Sequence, residues 1–354
     1  MKEGTMAEKL IIAAPGKIAY RHVDIPEPGP GQVRLRTLLS GISHGTEMTS
    51  YLGRSPFIAS TITPERIFVP KPEGASSFYP FEWAGYDLYA EVTAAGREVK
   101  TFRVGDKVYV PRPHQTEYVI DETDSEVLKL KSDTPGEDAV MIMLATVALT
   151  GIHDAEIKLG DVVVVFGGGV VGQLTAQMAF LSGASRVFLV EPNPERRKMA
   201  QALCPVEALD GVSEIPAVAV QRLLGGRYPD AVLECSGNIK GLKAAVQAAG
   251  VAGAVTAVGF YAGGSPDFSF GEEFLHNRVT IRASMGAWGC PSRWPDRWNR
   301  RRTLETCRDF IESRKLRFDG FISLRVPFRE AQCAYETIRE NPGHMRVVLT
   351  YGAT

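Results

Sequence analysis

The stretch Val162-Val-Val-Val-Phe166, continued by Gly167-Gly-Gly169-Val170-Val171-Gly172, decides how this chain is read. Five apolar residues in succession suit a strand buried on both faces of a parallel sheet. Gly167, Gly169 and Gly172 follow in the spacing G-x-G-x-x-G. Between a strand and a helix, that spacing allows a tight turn, close approach of the backbone to a pyrophosphate, and close packing of helix on strand. The N–H groups of the helix start then face the phosphates. A helix is expected from here to about Leu181, stopped at Gly183. Alone, the motif is weak in a chain with 35 glycines, where it could be an ordinary Gly-rich turn. Its context carries the reading. A second strand, Arg186–Glu191, ends on an acid about twenty residues further on, where adenosine ribose hydroxyls are held. The bland alternative for Glu191 is a solvated strand-end carboxylate. The whole unit predicts dinucleotide binding, with NAD preferred because a 2′-phosphate would meet the charge of Glu191.

Outward from this unit, the strands Ala231–Cys235, Ala254–Gly259 and Val279–Ala283 alternate with helices, the pattern of a parallel sheet covered on both faces. The expected strand order is 3-2-1-4-5-6, with Val279–Ala283 at an edge. Glu137–Ala155 reads as a helical connector into this region. Before it, residues 8 to about 130 read as short strands broken by Pro and Gly. Gln32–Leu39 alternates apolar and polar, and Glu91–Ala95 pairs with Lys107–Pro111 across Gly105-Asp106. After it come helices near Thr303–Ser313 and Phe328–Glu340, then the strand-like Met345–Tyr351.

The 354 residues suggest two domains at roughly 100–200 residues each. Apolar residues make up 44% and charged residues 23%, ordinary globular usage. With 40 basic and 41 acidic residues the net charge is −1, so no excess favours nucleic acid or an anionic membrane. The early apolar run Leu10–Ala14 is too short for a secretory signal core, and Met6 is a second candidate start. The uncharged stretch Ala244–Pro266 is long enough to span a bilayer, but its five glycines divide it into a helix end, a turn and a strand. Five scattered cysteines, an odd number, suit reduced thiols in a cytoplasmic protein better than a disulfide framework.

The order of parts resembles the medium-chain dehydrogenase/reductase superfamily over nearly the whole chain. The motifs that carry the likeness are Ser40-Gly-Ile-Ser-His-Gly-Thr-Glu47, Phe81-Glu-Trp-Ala-Gly85, Val104-Gly-Asp-Lys-Val108, the glycine motif, Glu234-Cys-Ser-Gly237 and Val258-Gly-Phe260. The resemblance implies an α/β protein with two parts. A GroES-like, mainly-β catalytic domain (1–148, with a C-terminal return at 287–354) accompanies a doubly wound Rossmann domain (149–286). It implies that Thr150, Arg196, Ser236 and Phe260 join the cofactor contacts, and that the edge strand pairs across a two-fold axis in a homodimer or dimer-based oligomer. In zinc-dependent relatives three ligands hold a catalytic zinc. Here Ser43, Phe81 and Thr146 fall at those positions, and no cysteine precedes Cys204 to hold a structural zinc. No metal is therefore expected. Gly-Ile-Ser-x-Gly-Thr-Glu, Pro113-His-Gln115 and the Arg/Trp-rich run Arg293–Arg302 are similar to a zinc-free branch that includes bacteriochlorophyllide hydroxyethyl dehydrogenases.

Without zinc to acidify an alcohol, a side chain or water must take its proton. Histidine has a suitable pKa. His44 lies in the loop that lines the cleft in relatives, where it is either the base or a pyrophosphate contact. His114 is the second candidate, against a surface or core hydrogen bond. Glu82 matches a family carboxylate near the metal site and either relays a proton or forms an ion pair. Ser43, Thr46, Glu47 and Tyr51 could bind a polyol or cap their loop. Arg293 and its basic neighbours could clamp an anionic or ring-shaped substrate, or form a solvated helix start or subunit contact. The expected activity is NAD-dependent, metal-free interconversion of a secondary alcohol and a ketone on a small molecule. The alternatives are a zinc-free quinone or enoyl reductase and a non-catalytic NAD-binding protein.

Overall fold

A computed structural model describes residues 5–262, 268–287 and 290–352. The chain forms two compact units: one runs to Met141 and resumes at Ile322, and the other spans Ile142–Phe321.

The first unit is mainly β. It contains β1 (Thr5–Ala14), β2 (Lys17–Ile25), β3 (Gln32–Gly41), α1 (Thr46–Tyr51), β4 (Ser60–Ile62), β5 (Phe68–Pro70), β6 (Leu88–Ala95), β7 (Lys107–Val110), β8 (Glu117–Asp121), β9 (Leu128–Lys129) and the short α2 (Gly136–Ala139). Alternation in β3 follows burial: Val33 and Leu35 are buried among Val92, Val108 and Ile120. The expected pair of strands forms as antiparallel β6–β7, but the ladder runs through Leu88–Glu91 rather than Glu91–Ala95, with Leu88 opposite Val110 and Glu91 opposite Lys107.

The second unit runs through α3 (Ile142–Asp154), β10 (Val162–Phe166), α4 (Val170–Leu181), β11 (Arg186–Val190), α5 (Pro194–Leu203), β12 (Glu207–Leu209), α6 (Pro216–Leu223), β13 (Ala231–Glu234), α7 (Ile239–Ala249), β14 (Ala254–Ala257), β15 (Thr280–Ala283) and α8 (Arg300–Glu312). All five residues of β10 are buried, because strands pair with it on both sides and the faces are covered. The six parallel strands lie in the order β12-β11-β10-β13-β14-β15, so the expected order and the edge position of β15 both hold. The order reverses between β10 and β13, the switch point where open α/β sheets bind ligands beyond their carboxyl ends.

The chain then returns to the first unit with β16 (Ile322–Pro327), α9 (Ala331–Glu340) and β17 (Arg346–Thr350). β17 lies antiparallel to β3, with Val348 opposite Gly41.

One expectation needs correction. The connector helix Glu137–Ala155 is broken between α2 and α3, where the Val140 carbonyl accepts from Arg346 Nη2 at 2.9 Å. Beside the expected bounds of 149–286 and 287–354, the second compact unit spans Ile142–Phe321 and the first resumes at Ile322. The reason is packing: α8 buries Leu304, Cys307 and Ile311 and lies against α3. Gln177 of α4 also exchanges two hydrogen bonds with the Arg317 backbone, at 2.8 and 3.0 Å. Among the described residues no helix is long and apolar enough to cross a membrane. The stretch from Ala244 is helix end, turn and strand as read, up to the residues described.

Candidate functional site

In the second unit the glycine loop joins β10 to α4. Gly167 has φ +92°, a left-handed conformation that favours glycine. A Cβ on Gly167 would also come within 2.8 Å of Ser236. Gly172 lies in the first turn of α4, where a Cβ would overlap the Gly167 carbonyl oxygen. Gly169 differs, since a Cβ there would enter open space. Gly169 also caps α4 without a side-chain hydrogen bond, so the N–H groups of the first turn, Val170 and Val171 included, are not capped by a side chain. A bare backbone surface at a helix N-terminus is what a pyrophosphate needs. The residues present fit a dinucleotide.

Glu191 follows β11 and is buried. Its Oε2 accepts from Gly168 N–H at 2.6 Å and its Oε1 from Asn193 N–H at 2.8 Å. It therefore stiffens the glycine loop, a role the sequence did not suggest. A carboxylate has about four acceptor positions, so capacity for ribose hydroxyls remains. Arg196 Nη1 stands 3.9 Å from Glu191, while Arg197 binds the carbonyls of Glu191 and Pro192, each at 2.7 Å. Gln173 ties the loop to α5 through the carbonyls of Gly168 and Arg196.

Ser236 is held by Glu234, which accepts from the Ser236 amide and hydroxyl, the Gly237 amide and the Tyr261 hydroxyl. Burial pushes the Glu234 carboxyl up despite these bonds. Phe260 is exposed, and its carbonyl oxygen lies against Gly237, where a Cβ would approach it to 2.6 Å.

A cavity of about 440 Å³ opens within the same unit, walled by α3, the segment after β15 and the start of α8. It unites Thr146 and Thr150 with the distant Arg293 and Arg300 of the basic run, and adds His153 and Asp154, to which sequence reasoning gave no role. Thr146, Thr150 and His153 share one face of α3 by their helical spacing, a signal the sequence did contain. Thr146 donates to the Met143 carbonyl at 2.7 Å. Arg293 is not an open clamp. Its Nη2 donates to the Ala283 carbonyl at 3.0 Å, and its Nε lies 3.1 Å from Asp154.

In the first unit, the Ser43–Glu47 turn leads into α1. Ser43 is buried, and its Oγ accepts from the Tyr86 hydroxyl at 2.6 Å and the Thr46 N–H at 3.2 Å. The Tyr86 pKa is pushed up to about 12, first by burial and then by the Asp87 carboxylate, so its hydroxyl stays a donor. Glu47 is buried as well. Its Oε1 accepts from the Ser43 N–H at 2.7 Å, and its Oε2 lies 2.9 Å from His114 Nε2 and accepts from the Tyr335 hydroxyl at 2.6 Å. Burial raises the Glu47 carboxyl, but attraction to His114 and these hydrogen bonds outweigh it and hold it below its ordinary value.

Several of these residues take the non-catalytic alternative weighed for them. His114, weighed as a base against a surface or core hydrogen bond, is 0% exposed, and its other nitrogen meets Ser40 Oγ at 2.7 Å. Tyr51 is fully buried, with its hydroxyl accepting from Gln332 at 3.0 Å. Glu47 is fully engaged as described. Glu82 forms ion pairs with Arg21 and Lys9, which keep its carboxyl low against the effect of burial. In each case protein groups occupy the polar atoms. His44 and Thr46 remain partly exposed.

The donor chemistry at the three family ligand positions does not suit zinc. Ser43 offers a neutral hydroxyl, Phe81 stacks on Phe78 with ring centroids 5.0 Å apart, and the Thr146 hydroxyl serves its own helix. Zinc sites need thiolate, imidazole or carboxylate. Among the described residues no group of three or more His, Cys, Asp or Glu could hold a metal ion.

Residues 170–300 match the family described as zinc-binding dehydrogenase. The chain is 28% identical over 335 residues to D-guloside 3-dehydrogenase of Escherichia coli, covering 93% of this chain and 95% of that one. It is 27% identical over 355 residues to the 2-desacetyl-2-hydroxyethyl bacteriochlorophyllide A dehydrogenase of Rhodobacter capsulatus, covering 97% of each. Among solved structures, an NADP-bound zinc-binding dehydrogenase from Sinorhizobium meliloti superposes with a TM-score of 0.73 at 19% identity, covering 98% of this chain and 99% of that one. These likenesses support the medium-chain dehydrogenase/reductase superfamily, and the fold is a GroES-like unit with a Rossmann unit.

Proposed function

We propose that this chain is an NAD-dependent dehydrogenase that interconverts a secondary alcohol, such as a sugar or cyclitol, and a ketone without a catalytic metal. The observation that carries the reading is the glycine loop braced by the buried Glu191, with open space over Gly169. In this reading Gly167–Gly172 take the pyrophosphate, Glu191 and Arg196 flank the adenosine ribose, and Thr150, Ser236 and Phe260 complete the cofactor contacts. A bound nicotinamide supplies the hydride acceptor. His44 takes the alcohol proton, Thr46 meets the substrate oxygen, and buried Ser43 with the Glu47–His114–Tyr335 cluster holds their turn in shape. The dehydrogenase names of the relatives support the reaction class.

The test is a turnover screen of alcohols, polyols and enones with NAD and NADP, before and after chelation. Activity is expected to survive the chelator, and NAD to be preferred by about 5- to 150-fold. The reason is that a 2′-phosphate both repels Glu191 and costs it hydrogen bonds, together about 1–3 kcal/mol. Equal efficiency with both cofactors, or an unchanged preference in Glu191→Ala, would count against the NAD assignment. Loss of activity on chelation would remove the metal-free reading, and turnover of enones alone would replace the alcohol reaction.

We also propose a homodimer or dimer-based oligomer formed through β15. This strand ends the sheet, and an open edge invites pairing. Light scattering is expected to give at least twice the chain mass. A monomer at micromolar concentration would sink the idea.

A further inference from the structure

We propose that Glu234 is a positioning residue for the nicotinamide half of the dinucleotide, fixing from below the two exposed turns that follow β13 and β14. This role rests on the dehydrogenase reading above.

Glu234 ends β13 and is fully buried. Ser236, in the turn between β13 and α7, and Phe260, just beyond β14, are exposed above it. One carboxylate joins the two turns. Its Oε1 accepts from the Ser236 N–H at 2.8 Å and from the Ser236 hydroxyl. Its Oε2 accepts from the Gly237 N–H at 3.1 Å and from the Tyr261 hydroxyl. A carboxylate has about four acceptor positions, and here four neutral donors fill them. A buried charge is tolerated only when such bonds replace water. Moving either turn away would leave the carboxylate short of donors, so the charge itself draws the turns together.

The surrounding backbone leaves little slack. The Val258 and Gly259 N–H groups both donate to the Glu234 carbonyl, at 2.8 and 2.9 Å. A Cβ on Gly259 would come within 2.2 Å of the Gly237 nitrogen. A Cβ on Gly241 would come within 2.5 Å of Ser236 Oγ and 2.8 Å of Glu234 Oε1. Glycine at both positions lets the turns close around the carboxylate. Ser236 also lies against Gly167, so the clamp adjoins the glycine loop.

The topology assigns the clamp to one half of the cofactor. A dinucleotide lies across the switch point of an open α/β sheet, here between β10 and β13. Glu191, beside the proposed adenosine ribose, follows β11 on one side. β13 and β14 stand on the other side, and their turns are left to the nicotinamide half. Glu234 is covered, so it acts through Ser236 and Phe260 and not by touching the cofactor.

Two variants test this. Glu234→Gln keeps the shape and breaks the pattern. Its NH₂ group meets the N–H of either Ser236 or Gly237, donor against donor, whichever way the amide is turned. Tyr261→Phe removes a single donor. NADH binding is read by fluorescence, ADP binding by calorimetry, and Tm by differential scanning fluorimetry. ADP carries the adenosine and pyrophosphate without the nicotinamide. Tyr261→Phe is expected to weaken NADH binding about tenfold, and Glu234→Gln at least as much. ADP affinity should stay within about twofold of the parent value in both. A general loss of structure would lower both affinities together. If Glu234→Gln has no folding transition, Tyr261→Phe alone decides. NADH affinity unchanged in Tyr261→Phe, ADP binding weakened there as much as NADH binding, or a parent protein that binds NADH but not ADP would each overturn the proposal. Failure of the parent protein to bind NADH would overturn the dehydrogenase reading and with it this role for Glu234.

Discussion

Asp87→Ala is expected to lower the stability of the first unit by about 3–5 kcal/mol, the usual cost of leaving one partner of a buried ion pair behind. Arg346 is 1% exposed and Asp87 0%. The Arg346 guanidinium donates to Asp87 at 2.6 Å and to the carbonyls of Ile42 and Val140 at 2.9 Å each. Asp87 also accepts from the Tyr109 hydroxyl at 3.1 Å. Removing the carboxylate strands a cation that solvent does not reach. The effect extends to the proposed chemistry, because Ile42 precedes Ser43 and its carbonyl is one of the guanidinium's anchors. Urea unfolding monitored by fluorescence reads the loss. The double variant Asp87→Ala with Arg346→Met should recover much of it, since replacing a buried pair with apolar groups is often close to neutral. A single variant within 1 kcal/mol of the parent would show that the pair does not hold this unit together.

Gly172→Ala and Gly169→Ala are expected to part company although both add one methyl group to the same loop. At Gly172 the new Cβ overlaps the Gly167 carbonyl oxygen, and two segments of backbone must separate. Overpacking of that kind costs about 1–3 kcal/mol, so Tm should fall. NADH affinity should fall too, by roughly 5- to 150-fold, as α4 moves off the loop. At Gly169 the backbone has φ −70° and ψ −176°, which any residue adopts, and the Cβ meets nothing. Gly169→Ala should therefore keep its Tm while losing NADH affinity, because the methyl group occupies the face offered to the pyrophosphate. Differential scanning fluorimetry and NADH fluorescence titration, run side by side, check both. Unchanged NADH binding in Gly169→Ala would mean that the dinucleotide does not use this loop.

The second unit was the more legible in sequence. Its strands are local apolar runs, its loop needs glycine for backbone reasons, and α5, α7 and α8 each begin at an asparagine whose side chain caps the helix. The parallel order follows from that alternation, and β10 to β15 arrive where they were expected, with the short β12 added. The cavity in the same unit was not legible. Thr146 is separated from Arg293 and Arg300 by some 150 residues and meets them only because α8 packs against α3.

The first unit shows the limit more sharply. The segment Ser43–Glu47 and the pair His114-Gln115 stand out in the sequence as polar residues of useful chemistry, and nothing local says which of them face inward. Glu47, His114 and Tyr335 come from three distant segments and satisfy one another inside the core. The residue types and spacing in this chain thus determined the dinucleotide loop, the class of fold and the absence of suitable zinc ligands at three positions. Only the tertiary structure decided that Glu47 and His114 are buried partners, that Glu191 braces the loop it was expected to serve, and that Arg293 is a brace. Backbone geometry and apolar periodicity are local properties of the chain, whereas the burial and pairing of a polar side chain depend on what distant segments bring beside it.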